Sequence, residues 1–399
     1  MPNEATSPIR TQGAMARYCL LSSLTWAAFL AAVMAGTYML GRGISGAEVG
    51  VVMIAGNLAA LVAQPFIASA ADGPGPLDAQ RLGIGLSLVT VGFMGACLLP
   101  LPSLAIEVLL VLTYLTAKNL PALSNSVAVY YVNRGGAIDY GVARAAGSVS
   151  NAAASFVVGL AVAAFGEGAI MWAGIVLFAA LAGSFALMPT PKDVPPTVAP
   201  TREEAHEGES TGGYLAFCIE HPAFLLLVAG FSLGLLMPQI VVVYGLLVFE
   251  NVGAGAVEMG TANAIASIVE LPTMLLYSRL ERRISAERLM LVAAAGCVLK
   301  AGIIAFATNV PLLYVGYALT IMSTLFGPAS VSWVNARFGE GNKNKALGLM
   351  VMVSPIGGIV GNVFGSLLLG SGGIGMLLGV VFALAVVGAA IAVVGVRRS

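Results

Sequence analysis

The stretch TPKDVPPTVAPTREEAHEGESTGG, residues 190–213, is the only long polar segment in a chain of 399 residues. It is rich in proline and glutamate, a composition typical of a flexible linker. We place the linker at 189–220, between an N-terminal unit, 1–188, and a C-terminal unit, 221–399. Both units consist mainly of long apolar runs, so the linker predicts a protein built from two apolar halves.

The composition excludes a water-soluble protein. Hydrophobic residues make up 58% of the chain and charged residues only 10%, whereas a soluble domain carries about 25% charged residues. Lysine plus arginine (19) equals aspartate plus glutamate (19), which argues against a nucleic-acid partner. The four cysteines are far apart and form no disulfide or zinc pattern, so we expect no metal and no cofactor.

Apolar runs long enough to cross a membrane recur along the chain. A transmembrane helix needs about 20 such residues. Charges, glycines and prolines bound twelve of them: 17–40, 47–71, 81–100, 103–131, 141–165, 168–188, 222–247, 255–280, 286–308, 311–335, 345–369 and 374–396. The sequence thus predicts an all-α membrane protein with twelve transmembrane helices in two six-helix bundles.

The basic residues define an orientation. With the N-terminus inside the cell, 15 of the 19 lysines and arginines fall on the cytoplasmic side, and Arg42 alone lies outside. Cytoplasmic loops are enriched in these residues. We therefore expect a multi-pass protein of the inner (cytoplasmic) membrane with both termini in the cytoplasm.

The two halves carry similar features at matching positions. Helix five contains GSVSNAAASFVVG from Gly147, and helix eleven contains SPIGGIVGNVFGSLLLG from Ser354. Small residues at such spacing allow helices to approach closely. Two related six-helix halves around a central site are the architecture of many secondary transporters.

Three local motifs carry a family resemblance: DYGVARAAGS at 139–148, SIVELP at 267–272 and NKNKALG at 342–348. With the helix plan, they resemble the major facilitator superfamily, and within it the oligosaccharide and nucleoside:proton symporter branch, which includes phenylpropionate permease-like proteins. The resemblance implies a proton-coupled permease. Sugar-transporting members carry an acid on helix four and a histidine and an acid on helix ten, and these are absent here. Lys300 stands where those members have an arginine on helix nine.

Ionisable residues inside the predicted membrane helices are few. Each costs about 2.5 to 3.5 kcal/mol to insert and is a candidate functional group. Three are cations, Lys118, Arg144 and Lys300, and one is a deep acid, Glu270. Surplus cations favour an anionic ligand, which predicts a small organic anion such as a carboxylate. If a buried lysine instead loses its proton, a sugar or nucleoside fits equally well.

Glu270 is the candidate proton-coupling group. Apolar surroundings favour the protonated acid, whereas a neighbouring Lys300 favours the carboxylate. A substrate that competes for the lysine would change the acid's affinity for a proton, which is the linkage that symport requires. The alternative is a fixed Glu270–Lys300 bridge between helices eight and nine.

Other polar residues are assigned by position. We predict that the substrate-binding residues are Lys118, Asn125, Arg144, Gln239 and Lys300. We predict that cytoplasmic gate contacts involve Asp72, Arg81, Arg279 and Arg283. Ser45 and Glu48 have the spacing of a capping box that opens helix two.

Together these features predict a monomeric secondary active transporter that works by alternating access. Its partners would be a small-molecule substrate, a coupling proton and membrane lipid. A uniporter or exporter of the same fold remains an alternative. No helix contains a histidine or paired carboxylates, which argues against an enzyme, and the chain has no phosphate-binding loop of a primary pump.

Overall fold

The computed structural model describes residues 13–72, 78–132, 139–188 and 214–398, and within these ranges every regular element is an α-helix. The first half contains α1 Ala14–Val33, α2 Ala35–Gly41, α3 Gly46–Asp72, α4 Ala79–Cys97, α5 Ser103–Val132, α6 Tyr140–Phe165 and α7 Gly168–Ala186. The second half contains α8 Tyr214–Glu220, α9 Pro222–Gly234, α10 Leu236–Val243, α11 Gly245–Glu250, α12 Ala256–Glu281, α13 Ala286–Ala305, α14 Val310–Ala318, α15 Thr320–Ser323, α16 Phe326–Arg337, α17 Glu340–Val351 and α18 Val353–Arg398.

Eleven helical stretches in the described ranges are long and apolar enough to cross a membrane. The last of them, Lys345–Arg398, has 54 residues, or about 80 Å of helix against a hydrocarbon core of about 30 Å. At Gly373 its backbone takes φ = +68°, a left-handed conformation that glycine adopts without steric cost. This stretch therefore contains two spans, and the predicted twelve-helix fold is confirmed.

Four spans predicted as continuous helices are broken into consecutive helices: 17–40 at Met34, 345–369 at Met352, 222–247 and 311–335. Pro238 lies in α10 and Pro328 in α16. A proline ring clashes with the carbonyl group four residues earlier. That position is the end of α9 in the first case and the gap between α15 and α16 in the second. The second break leaves α15 as a separate turn that packs against α13.

The two halves meet through three helix pairs: α2 with α10, α3 with α18, and α6 with α12. A Cβ atom on Gly159 of α6 would lie 2.7 Å from the carbonyl oxygen of Ala256, and one on Gly260 would lie 3.1 Å from the Cα atom of Gly159. A Cβ atom on Gly36 of α2 would lie 2.4 Å from the carbonyl oxygen of Val243. In the predicted orientation these contacts are at the outer ends of the helices, so the halves are closed against each other there.

The start of the second half is fixed by aromatic packing. Helix α8 covers the last seven residues of the predicted linker, and residues 189–213 lie outside the described ranges. Phe217 on α8 is buried, and its ring centroid lies 5.7 Å from that of Phe224 and 5.5 Å from that of Phe338. This contact holds α8 against the predicted cytoplasmic end of the second bundle.

The lipid-facing surface and one helix start also agree with the sequence. Phe66, Phe165 and Trp172 are 73%, 84% and 61% exposed, as expected of side chains that contact lipid rather than water. The capping box is confirmed, because the Ser45 N–H donates to Glu48 Oε2 at 2.9 Å and the Glu48 N–H donates to Ser45 Oγ at 3.3 Å. Helix α3 therefore begins where predicted.

Candidate functional site

Lys118 lies in the middle of α5, a membrane-spanning helix of the first half that packs against α3. Its Nζ donates a hydrogen bond to Asn57 Oδ1 on α3 and lies 5.2 Å from the centroid of the Tyr114 ring. The Asn57 Nδ2 donates to the carbonyl oxygen of Met53 at 2.8 Å, which leaves the amide oxygen to accept from the lysine. The partners of the ammonium group are thus a neutral amide and an aromatic ring.

Lys300 has an equivalent environment in the second half. It lies on α13 and is only 4% exposed. Its Nζ donates to Thr320 Oγ1 on α15 at 2.7 Å and lies 5.7 Å from the centroid of the Tyr317 ring. Lys300, which is buried, and Lys118, which is half-buried, therefore each combine one neutral oxygen acceptor with a tyrosine face. A cation over an aromatic face is stabilised by the ring's quadrupole.

Glu270 on α12 lies between cations of the two halves. Arg144 on α6 and Lys300 on α13 are the cations near enough to act electrostatically on its carboxyl group, and Thr324 lies beside it. Between Glu270 and Lys300, both of which the structure describes, there is no ion pair within 4.0 Å. The fixed bridge considered as the alternative role is not formed in this conformation, so the acid is near both cations without being held by the lysine.

Arg144 is held against the first helix. Its guanidinium carbon lies 4.0 Å from the centroid of the Trp26 ring on α1, and its Nη1 donates to Ser148 Oγ one turn further along α6 at 2.9 Å. Trp26 therefore packs against Arg144, a predicted substrate-binding residue. This stacking fixes the guanidinium group on the side of α6 that faces Glu270.

A hydrogen bond joins the halves next to this group. Asn151 Nδ2 on α6 donates to Ser267 Oγ on α12 at 2.8 Å. Sequence reasoning did not single out either residue. The signal that could have found them is spacing, since Asn151 lies seven residues, about two helical turns, after Arg144, and Ser267 lies three residues before Glu270.

The remaining predicted binding residues are not brought into direct contact with the buried charges. Asn125 on α5 is exposed. Gln239 on α10 donates from Nε2 to Ser354 Oγ on α18 at 3.1 Å, a contact within the second half. The structure places both on helices that also carry or adjoin the central charges, without adding them to the hydrogen-bond network of Lys118 or Lys300.

The four predicted gating residues are scattered. The side chain of Asp72 lies outside what the structure describes, although its backbone ends α3. Arg81 is exposed in the first turn of α4, and its N–H donates to Asp78 Oδ1 at 2.8 Å. Arg279 and Arg283 are exposed at the end of α12, on the side of the helix away from Glu270.

Two bundles of membrane helices around a set of buried charges define the class of protein as a membrane transporter. The chain belongs to the MFS_1 like family, whose model matches residues 24–382, and it is a transporter of the major facilitator type. No curated protein sequence matches the chain significantly.

Solved structures of transporters share the fold. A mutant of the nucleoside transporter NupG has 16% identity and a TM-score of 0.78, with 94% of this chain and 98% of that one covered. An auto-inhibited POT family peptide transporter has 12% identity and a TM-score of 0.69, covering 96% and 97%. A bacterial homolog of the human lysosomal transporter Spinster, inward-facing and occupied, has 13% identity and a TM-score of 0.69, covering 98% of each chain.

Proposed function

We propose that the protein is a proton-coupled symporter that carries a small organic anion with a carboxylate group across the cytoplasmic membrane by alternating access. The observation that carries this proposal is the similar environment of Lys118 and Lys300. Each is hydrogen-bonded to a neutral oxygen, on Asn57 and Thr320 respectively. An ammonium group has three donors, so each lysine retains capacity for an anionic ligand.

The position of Lys118 and Lys300 inside the membrane helices makes their charges costly. A charge removed from water is costly unless it is paired and hydrogen-bonded. One amide or hydroxyl oxygen offsets only part of the cost for each lysine. A bound carboxylate would supply the missing counter-charge, and it would do so only while the site is occupied. The site would thus bind a negatively charged substrate more tightly than a neutral one.

Glu270 would carry the coupling proton. It interacts with Lys300 without an ion pair, so a substrate carboxylate that approaches the lysine also approaches the acid. Two carboxylates at close range disfavour each other's ionised forms. Substrate binding would therefore promote protonation of Glu270, and release of the substrate would promote release of the proton.

The test is transport in proteoliposomes. Wild-type protein should accumulate labelled benzoate-type acids when the pH gradient is imposed and should exchange them in its absence. The variant Glu270→Gln should retain exchange at a rate similar to wild type and lose uphill, pH-driven uptake. Uphill accumulation by the variant would refute the coupling role, and uptake of sugars unaffected by added carboxylates would refute the anionic substrate.

A nucleoside is the second candidate substrate. It is favoured by the likeness to the nucleoside transporter NupG, which extends over nearly all of both chains. Labelled nucleosides belong in the same assay for this reason. Saturable nucleoside uptake that carboxylates do not inhibit would select this candidate and would leave Lys118 and Lys300 with structural roles.

Asn125 and Gln239 are proposed to line the cavity. Of the four residues predicted for the cytoplasmic gate, Asp72 and Arg81 are proposed to take part in it. Arg279 and Arg283 lie on the side of α12 away from Glu270 and are not assigned to it. The proposed unit is a monomer in the inner membrane with both termini in the cytoplasm. Labelling of single cysteines introduced at the two ends of the chain, in intact and in permeabilised cells, tests the orientation. Labelling of the termini in intact cells by an impermeant reagent would reverse it.

A further inference from the structure

The end of α12 forms a surface cavity that the transport mechanism does not use. Its volume is about 590 Å³, and it is lined by two leucines and three arginines: Leu276, Arg279, Leu280, Arg282 and Arg283. Apolar and cationic side chains therefore share one depression at the predicted cytoplasmic end of a membrane helix. This combination suits an amphiphilic ligand with a negatively charged head.

The cavity faces lipid rather than the centre of the transporter. Arg279 lies nine residues after Glu270, about two and a half turns, and so on the opposite side of α12. Ile268 and Leu275, which lie on the same side as Arg279, are 53% and 55% exposed. Since Glu270 is directed towards cations of both halves, the side with Arg279 is directed outwards to the bilayer.

The cationic groups of the cavity are not neutralised by nearby acids. None of the three guanidinium groups lies within 4.0 Å of a carboxylate among the residues that the structure describes. Glu281 follows Arg279 by two residues, about 200° around the helix, and so points the other way. Glu287 is paired with Arg337 at 3.2 Å. The cavity therefore presents a net positive surface.

We propose that this cavity binds one anionic phospholipid, with its phosphate on Arg279 and Arg283 and its acyl chains along Leu276 and Leu280. Guanidinium groups bind phosphate oxygens bidentately, and the cytoplasmic leaflet is the one that carries anionic lipid. Basic residues clustered at the cytoplasmic end of a membrane helix attract such head groups. The site is independent of the transported substrate.

The experiment compares two double variants of the full chain that each remove two positive charges from the predicted cytoplasmic side. Arg279→Gln with Arg283→Gln alters the cavity, and Arg397→Gln with Arg398→Gln is the control, because both control residues are exposed at the end of α18. Native mass spectrometry counts bound phosphatidylglycerol or phosphatidylcholine, and thermal unfolding in detergent with each lipid measures stabilisation.

Wild type and the control should bind one phosphatidylglycerol more tightly than phosphatidylcholine and unfold at a higher temperature in its presence. The cavity variant should lose at least roughly tenfold in affinity, since each basic residue near an anionic surface contributes roughly fivefold and two are removed. Inorganic phosphate should not stabilise any of the three proteins. Stabilisation by phosphate alone would identify a soluble anion instead of a lipid.

Two other results would overturn the proposal. Equal losses in both double variants would show a diffuse charge effect rather than a site. In the second, phosphatidylglycerol does not raise the unfolding temperature of wild type. If a variant with the glutamates between 203 and 209 changed to glutamine then unfolds at a lower temperature than wild type, the cavity binds the chain's own linker.

Discussion

The side-chain amide of Asn151 on α6 donates a hydrogen bond of 2.8 Å to the hydroxyl of Ser267 on α12. It connects the two halves of the bundle near the midpoint of both helices, within two turns of Arg144 on α6 and one turn of Glu270 on α12. Alternating access requires the halves to rock about the central site. A bond between them at this depth therefore stabilises one of the two states.

The variant Asn151→Ala should destabilise the state that is closed at the outer ends. Interhelical hydrogen bonds in membranes contribute about 0.6 to 2 kcal/mol, so the ratio of the outer-open to the outer-closed state should rise roughly three- to thirtyfold. A single cysteine at Ser155, a buried position on α6, would report this through labelling by an impermeant maleimide once the four native cysteines are replaced. Asn119→Ala is the control, because Asn119 bonds only the carbonyl of Leu115 in its own helix. Unchanged labelling in the Asn151 variant would contradict the prediction.

The contact between Gly159 and Gly260 should not tolerate a larger side chain. A Cβ atom on Gly159 would lie 2.7 Å from the carbonyl oxygen of Ala256, which is too close for a neighbouring helix backbone to accommodate without shifting. Gly159→Val should separate α6 from α12, increase labelling from outside and reduce the initial uptake rate more than tenfold. Gly92→Val should leave transport near wild type, since nothing lies within 4 Å of its Cβ position. Equal rates for the two variants would show that the close approach has no functional role.

The buried hydroxyl of Tyr244 should destabilise the state that is closed at the outer ends. Its phenol is buried between α3 and α18, and its oxygen has no hydrogen-bond partner among the described residues. An unsatisfied buried polar group costs about 1 to 3 kcal/mol. Tyr244→Phe should therefore raise the unfolding temperature and reduce labelling at the Ser155 reporter cysteine. Tyr38→Phe is the matched change with the opposite expectation, because Tyr38 donates to the carbonyl oxygen of Cys97 at 2.5 Å. A lower unfolding temperature for Tyr244→Phe would refute the argument.

The break between the last two spans should depend on glycine. Gly373 has φ = +68° and ψ = −172°, a backbone conformation essentially restricted to glycine, where a side chain costs about 1 to 3 kcal/mol. Gly373→Ala should lower the unfolding temperature measured with a thiol-reactive dye by a few degrees. Gly375→Ala should not, because Gly375 has no positive φ and nothing lies within 4 Å of its Cβ position. Equal unfolding temperatures for the two variants would mean that the turn relaxes without strain.

The helix plan could be predicted from the sequence because each span is a long apolar run bounded by charged or helix-breaking residues. Predicted and observed ends of most spans agree within a few residues, and the last two spans were separated at 370–374, where Gly373 breaks the helix. The breaks before Pro238 and Pro328 could not be predicted in the same way. Pro65, for example, lies inside the continuous helix α3, so a proline in a membrane helix does not by itself determine a break.

The ionisable residues of the membrane helices could be identified from the sequence, but the side chains that contact them could not. Lys118 and Asn57 are 61 residues apart in the chain, and their contact depends on how α3 packs on α5. Thr320, which accepts a hydrogen bond from Lys300, lies on the short helix α15. This helix exists because the tenth predicted span, 311–335, is broken. Hydropathy identifies which residues are in the membrane, whereas tertiary packing determines which side chains meet there.

The last prediction tests whether Lys118 is available to a carboxylate substrate. Asn57→Asp would place a carboxylate of the protein next to the Lys118 ammonium group, where an amide oxygen now accepts its hydrogen bond. This internal acid would compete with a substrate anion, and a loss of about 1.4 kcal/mol in binding corresponds to a tenfold change. The KM for the carboxylate should rise roughly tenfold or more. Asn57→Ala, which removes the amide without adding charge, should raise KM much less. A nucleoside or other neutral substrate would show no such difference between the two variants, and equal KM values would therefore contradict the anionic substrate while leaving the fold and the transport cycle intact.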